Sequence, residues 1–163
     1  MFGYAAAQRA YEGTKALGEV AVASEFTMKI DGDDENIHYL IKQFPVPIFS
    51  PEDKIEVPLI GGLKTHVPQA GRFDFSGSIA FIETIDGKVR AFLEKLQAGR
   101  NVAKRPRFNA TIYMGTPEEH TQSFRIIDAI LHGFDPFDAD VENRGQVVIL
   151  QGQISYMCFP NMK

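Results

Sequence analysis

The sequence holds no tryptophan, one cysteine and no surplus of positive charge. Each shortage removes a class of protein. A lone Cys158 has no partner for an internal disulfide, so the chain is expected to live in a reducing compartment. Seventeen Lys and Arg against 21 Asp and Glu leave a formal charge of -4, no electrostatic ground for tight nucleic-acid binding. No run approaches the roughly 20 apolar residues that cross a bilayer. Arg9 and Glu12, with no long apolar run near them, argue against a secretory signal. The expectation is a protein that stays soluble where it is made, with no membrane anchor.

What is present fits a folded core. Of 163 residues, 44% are hydrophobic and 23% charged, so the chain can bury a substantial interior as one domain. Thirteen phenylalanines point to a core built on large apolar rings.

Residues 1–24 are rich in alanine, with Tyr4 and Tyr11 spaced for one helical face and Gly13 and Gly18 interrupting. They read as a short helix or arm ahead of a domain over 25–163. Phe26–Ile30 alternates with period two and stops at Asp31-Gly32-Asp33-Asp34; Ile37–Phe44 is β-prone, and the two are expected to pair as a hairpin. Pro45–Ala70 carries five prolines yet also Ile48, Phe49, Ile55, Val57, Leu59, Ile60, Leu63 and Val67. Gly61-Gly62 suits a tight two-residue turn between Lys54–Ile60 and Leu63–Val67, and proline confines such strands to an edge. The segment reads as a projecting hairpin arm whose apolar side chains need another subunit to cover them.

In Arg72–Glu83, Phe73, Phe75, Ile79 and Phe81 share one face, and Arg72, Asp74, Ser76 and Ser78 the other, with Gly77 marking a bulge. A helix over Ile85–Ala98 follows, with Thr84 as N-cap, an apolar face of Ile85, Val89, Phe92, Leu93 and Leu96, and Gly99 closing it. Arg100–Arg107 is a basic connector. Phe108–Met114 and Thr121–His132 form a hairpin about Gly115-Thr116-Pro117, an acidic loop spans Gly133–Gly145, and Gln146–Phe159 is a last strand. In that strand Val148, Leu150, Ile154, Tyr156 and Cys158 face in, opposite Gln151, Gln153 and Ser155. The pattern predicts a mainly β, α+β fold: an antiparallel sandwich or barrel with one flanking α-helix and the hairpin arm.

A search for chemistry finds no constellation. His38, His66, His120 and His132 lie in separate elements without ligand spacing. Asp31–Glu35 has glycine at the wrong place for a calcium loop. Asp135, Asp138, Asp140 and Glu142 form an acidic cluster that a solvated loop explains as well as a cation site does. Gly61-Gly62-Leu63-Lys64-Thr65 lacks the phosphate-loop spacing, no Gly-x-Ser-x-Gly elbow is present, and Cys158 reads as a buried inert thiol. The Arg100–Arg107 cluster reads as a surface connector or subunit contact. No catalytic residue, metal or cofactor is expected.

The order of elements resembles the tail tube proteins of contractile-tailed bacteriophages and, more distantly, the type VI secretion tube protein. The resemblance rests on Phe26-Thr-Met-Lys-Ile-Asp-Gly32, the arm at Lys54–Val67, the strand Phe73–Glu83 running into a helix, and Gly152-Gln-Ile154-Ser-Tyr156-Met-Cys-Phe159-Pro160. It covers roughly residues 25–160. It implies a structural subunit of hexameric rings stacked into a tube, in a virion tail made in the host cytoplasm. Partners would be sheath and baseplate proteins, with genomic DNA passing through without specific binding. Asp74, Ser76, Ser78, Gln151, Gln153 and Ser155 would face the lumen, or else plain solvent. A baseplate-proximal tube protein shares the same core; a small-molecule-binding β-barrel and an enzyme on a compact β scaffold are the alternatives from other classes.

Overall fold

The computed structural model describes residues 3–33, 35–99 and 105–160. Among the described residues eight strands and two α-helices follow the order α1 (Tyr4–Ala16), β1 (Phe26–Ile30), β2 (Ile41–Gln43), β3 (Lys54–Pro58), β4 (Lys64–Pro68), β5 (Asp74–Ile82), α2 (Lys88–Ala98), β6 (Phe108–Gly115), β7 (His120–His132) and β8 (Ile149–Met157). Six strands make one antiparallel sheet in the order β1-β6-β7-β8-β5-β2, and β3 with β4 makes a second, two-stranded one. The six-stranded sheet curls toward a barrel that stays open between its edge strands β1 and β2. Among the described residues no helix is long and apolar enough to cross a membrane.

Curvature comes from a bulge in β7. Asp128 takes a left-handed φ of 52° and donates its backbone N–H to Asn109 Oδ1 at 3.1 Å, where the register with β6 and β8 shifts. At this corner β7 passes from pairing with β6 to pairing with β8, as bulges commonly allow. Inside lie Phe81, Met28, Ile79, Ile112, Ile126 and Ile154, all fully buried. The alternation in β8 works as expected for Leu150, Ile154, Tyr156 and Cys158, which are buried, whereas Val148 lies before the strand and is partly exposed.

Three local expectations need correction. β1 does not pair with the segment after it: it pairs with β6, from Phe26↔Met114 to Ile30↔Ala110. Ile37–Leu40 forms a 3-10 turn instead, because Asn36 is left-handed and the Asp33 carboxylate accepts the His38 backbone N–H at 3.1 Å. The chain thereby crosses to the far edge of the sheet, where Ile41 pairs with Phe81.

Gly77 is not a bulge, since β5 and β8 stay in register from Asp74↔Met157 to Ile82↔Ile149. It is a space: a Cβ there would lie 2.7 Å from Pro45 Cβ.

The helix starts three residues later than Ile85. Gly87, with φ of 70°, is the N-cap, and Ile85 is wholly exposed. The Glu83 carboxylate accepts the N–H groups of Val89 at 3.1 Å and Arg90 at 3.0 Å, while Thr84 Oγ accepts that of Lys88 at 3.2 Å. An acid at the positive end of the helix dipole replaces the expected cap. The second helix, α1, answers the short helix or arm read over residues 1–24.

Candidate functional site: the projecting ribbon and the open seam

The prolines of the arm do not prevent a ladder. The residues flanking β3 and β4 continue the pairing: Arg72 N–H donates to Ser50 O at 3.1 Å, Glu52 N–H to Ala70 O at 3.3 Å, and Gln69 N–H to Asp53 O at 2.8 Å. The ribbon from Ser50 to Arg72 extends about 30 Å if its strands rise at the usual 3.3 Å per residue.

Its tip differs from the expected two-residue turn. Lys54 pairs with Pro68 and Pro58 with Lys64, a register that sets Leu59 opposite Leu63 and leaves Ile60, Gly61 and Gly62 as a three-residue loop. Gly61 and Gly62 have φ of 84° and 76°, which only glycine adopts without strain. The one-residue difference decides which side chains share a face. Ile55, Val57, Leu59, Leu63 and Val67 fall on one face with Thr65; Lys54, Glu56, Lys64 and His66 fall on the other, where Lys64 Nζ lies 3.6 Å from Glu56.

The apolar face is largely uncovered. Leu63 is 65% exposed, Ile55 and Leu59 are each 49% exposed, and Val57 alone is half-buried. Ile60 stands at the tip, 98% exposed. Ile48 is exposed at the root, while the ring of Phe49 turns inward, edge-on to Phe75 at 5.7 Å between centroids. All eight arm residues named from the sequence thus lie on one projecting element or its root.

The polar residues named for a lumen also come together. Asp74, Ser76, Ser78, Gln151, Gln153 and Ser155 share the outer face of the β5–β8 pair, with Ser76 opposite Ser155 and Ser78 opposite Gln153. Gln153 Nε2 lies 3.5 Å from Ser78 Oγ, and His132 Nε2 lies 3.1 Å from Ser155 Oγ. Of these six side chains Asp74 alone is charged, and Asp135 borders the same face beside Ser78, Gln151 and Gln153.

The acids elsewhere are engaged or dispersed. Asp33 pairs with the buried His38 at 3.2 Å, and Asp31 with Arg125. Asp135, Asp138, Asp140 and Glu142 are exposed, and among the described residues no group of three potential metal ligands gathers. A cleft of about 540 Å³ between α2 and the Asp31–Ile37 turn has acids on one wall and Lys95, Arg105 and Arg107 on the other. Arg107 there lies 3.7 Å from Asp128. Arg100 and Lys104 of the basic connector lie outside the described residues. Burial raises the Cys158 thiol above its ordinary range, which opposes thiolate chemistry.

Two features were missed in the sequence. Gly152 leaves room for Phe134, whose ring carbons would lie 2.6 Å from a Cβ at that position, so the acidic loop is pinned to the core through Phe134 against Phe81. The open seam between β1 and β2 is a groove of about 730 Å³ with Phe26, Ile41, Phe44, Val46, Ile48 and Phe124 in its lining. Nothing local marks either one, because both arise where distant segments meet.

No family model matches the chain, and no curated protein matches it. The curled six-stranded sheet with its flanking helix and ribbon has a counterpart among solved structures. The tube-terminating cap of the anti-feeding prophage (AFP) superposes with a TM-score of 0.56 at 11% identity, over 88% of this chain and 94% of that one. The tube and sheath/tube terminator structures of an extracellular contractile injection system (PVC) align at 16% identity each. Coverage is 90% of this chain and 93% of that chain for the sheath–tube complex, and 88% and 95% for the terminator, both with a TM-score of 0.47. The resemblance to tail tube proteins therefore holds at the level of fold.

Proposed function

We propose that this protein is a structural subunit of a contractile-tail-like tube, assembling as stacked hexameric rings. The observation that carries the reading is the ribbon, a two-faced element with charge on one side and aliphatic side chains in solvent on the other. Apolar area of this kind contributes about 25 cal/mol per Å² when covered, and a neighbouring copy is the partner supplied at matching concentration. A ribbon of one copy on a different surface of the next is a heterologous contact, the kind that closes rings and builds tubes. The shared fold with a tube-terminating cap supports the same role, at the end of a tube as well as along it.

In this reading residues 25–163 form the tube domain, residues 1–24 an arm, and the Asp74–Ser155 face lines the lumen. A nearly neutral lining lets a phosphate backbone pass, because little counterion release is gained by binding it. Sheath and baseplate proteins would contact the outside, and the assembled tail would be the protein's place of work. The carrier alternative is not favoured, since Phe81, Met28, Ile79, Ile112, Ile126 and Ile154 fill the barrel.

The test is negative-stain microscopy of the purified protein beside a Leu59→Asp/Leu63→Asp variant. Rings or tubes are expected from the parent and a dispersed, folded protein from the variant. Normal tubes from the variant would remove the ribbon from the assembly.

A further inference from the structure

The tip of the ribbon restricts what can receive it. Leu59, Ile60, Gly61, Gly62 and Leu63 carry no charge, and all three of their aliphatic side chains stand in solvent. The tip is also ordered in advance. Leu59 N–H donates to Leu63 O at 2.7 Å, and the two left-handed glycines hold the loop between them. A surface that covers such a tip loses little to ordering it.

The clefts of the barrel differ in what the tip would meet. The cleft beside α2 is lined by Asp31, Asp33, Glu35, Lys95, Arg105 and Arg107, charges that an aliphatic tip would strip of water and replace with nothing. A hollow under the acidic loop holds Asp138 and Asp140, and a smaller one on the polar face holds Asp135, Gln43, Gln151 and Gln153. The β1–β2 groove is of the opposite kind. Phe26, Ile41, Phe44, Val46 and Phe124 rest on the core yet stay partly exposed, and all five line it. Lys42 is its one charged side chain among the described residues, and it is exposed, free to keep its ammonium in water. At about 730 Å³ the groove has room for three aliphatic side chains.

The ribbon cannot fill the groove of its own molecule. Ile48 lines the groove at the ribbon's root, Phe49 is turned in against Phe75, and Pro51 bridges Gly71. Ten residues of extended strand from Ser50 set Ile60 about 30 Å from that root. Bringing the tip back would break the ladder that runs from Lys54↔Pro68 to Pro58↔Lys64. We propose that the ribbon tip, Leu59 to Leu63, seats in the β1–β2 groove of a second copy. Each molecule then offers a tip at one end and a groove about 30 Å away, so the contact is heterologous and repeats from copy to copy. The proposal rests on the reading of this chain as a self-assembling subunit, and deepens it by naming the surface that receives the ribbon.

The test mixes two full-length proteins under mild oxidation, one carrying Ile60→Cys and the other Gln122→Cys, a groove position. Cys158 is buried in both, and the parent should give no link. A disulfide-linked heterodimer is expected on a non-reducing gel, and a chain carrying both new cysteines should give a ladder of multimers. Ile48→Asp in the Gln122→Cys protein puts a carboxylate on the groove at an exposed position. It should cut the heterodimer about tenfold or more, the equivalent of about 1.4 kcal/mol. Glu56→Cys, on the charged face of the ribbon, should link far less than Ile60→Cys. No heterodimer, an equal yield from Glu56→Cys, an undiminished yield with Ile48→Asp, or a link closed within one chain would each overturn the proposal. A stronger link to Gln122→Cys from Ala7→Cys than from Ile60→Cys would also overturn it, by giving the groove to α1. Tubes from the parent without any cross-link would sink the groove contact and spare the tube reading; a cross-link from a parent that forms no tubes would do the reverse.

Discussion

Two glycines on neighbouring strands hold open the places where loops enter the core. Gly152 sits opposite Ile79 and Gly77 opposite Ile154, and they admit Phe134 and Pro45 respectively. Gly152→Ala should therefore destabilise the fold by about 2 kcal/mol, because the backbone around Phe134 must shift to admit one methyl group. Urea denaturation measures this, and Phe134→Ala in the same chain should recover part of the loss at Gly152 by vacating the space. Pro45 is held from the other side by Tyr156, whose hydroxyl donates to Pro45 O at 2.8 Å. Burial, with a smaller contribution from Cys158, raises the Tyr156 phenol well above its ordinary value. The folded state therefore keeps a proton that the unfolded chain releases near pH 10. Stability from this group is complete below that pH and declines as pH rises beyond it. Tyr156→Phe should flatten the alkaline decline while costing about 1 kcal/mol near neutral pH through the lost hydrogen bond. An unchanged alkaline limb in thermal melts of the variant would refute the assignment.

At the scale of elements, α2 depends on an acid outside it. Glu83 also accepts its neighbour Thr84's N–H at 2.9 Å, so its carboxylate serves three backbone donors at the strand-to-helix junction. Glu83→Ala should cost about 1–2 kcal/mol, read as a lower urea midpoint, with loss of helical circular dichroism confined to α2. Thr84→Ala, which removes one weaker bond, should cost less. The apolar spacing of Val89, Phe92, Leu93 and Leu96 was enough to find this helix, but its start depended on the Asp86-Gly87 turn and on a carboxylate five residues before the first helical position. Strands with clean alternation, β5, β6 and β8, were legible for the same reason: burial on one face imposes period two on the residues themselves. Pairing was less legible. The Phe26–Ile30 strand and the Ile37–Phe44 run looked like a hairpin because they are adjacent in sequence, yet the Asp33–His38 contact turns the chain across the barrel mouth. The ribbon's composition announced an uncovered element; its face assignment waited on the register, since moving the turn by one residue changes which side chains meet.

For the whole molecule, the sheet topology separates the parts that hold the fold from those that reach outward. The interior is closed by β5 to β8 and β1, whereas the ribbon forms a sheet of its own and α1 buries nothing. Deleting residues 51–68 should accordingly leave thermal stability within a few degrees of the parent while abolishing rings and tubes, which calorimetry and microscopy read separately. A large fall in melting temperature would mean that the ribbon belongs to the fold's own support. The two ends of that ribbon meet: Arg72 is hydrogen-bonded to Ser50, and Pro51 bridges Gly71. β2 and β5, the strands it interrupts, are direct neighbours in the sheet. Such a junction makes the reach and chemistry of the insertion adjustable without disturbing the barrel. Longer, shorter or differently charged versions can be exchanged at one pair of splice points, so partner choice can diverge among copies of the gene while the scaffold beneath stays the same.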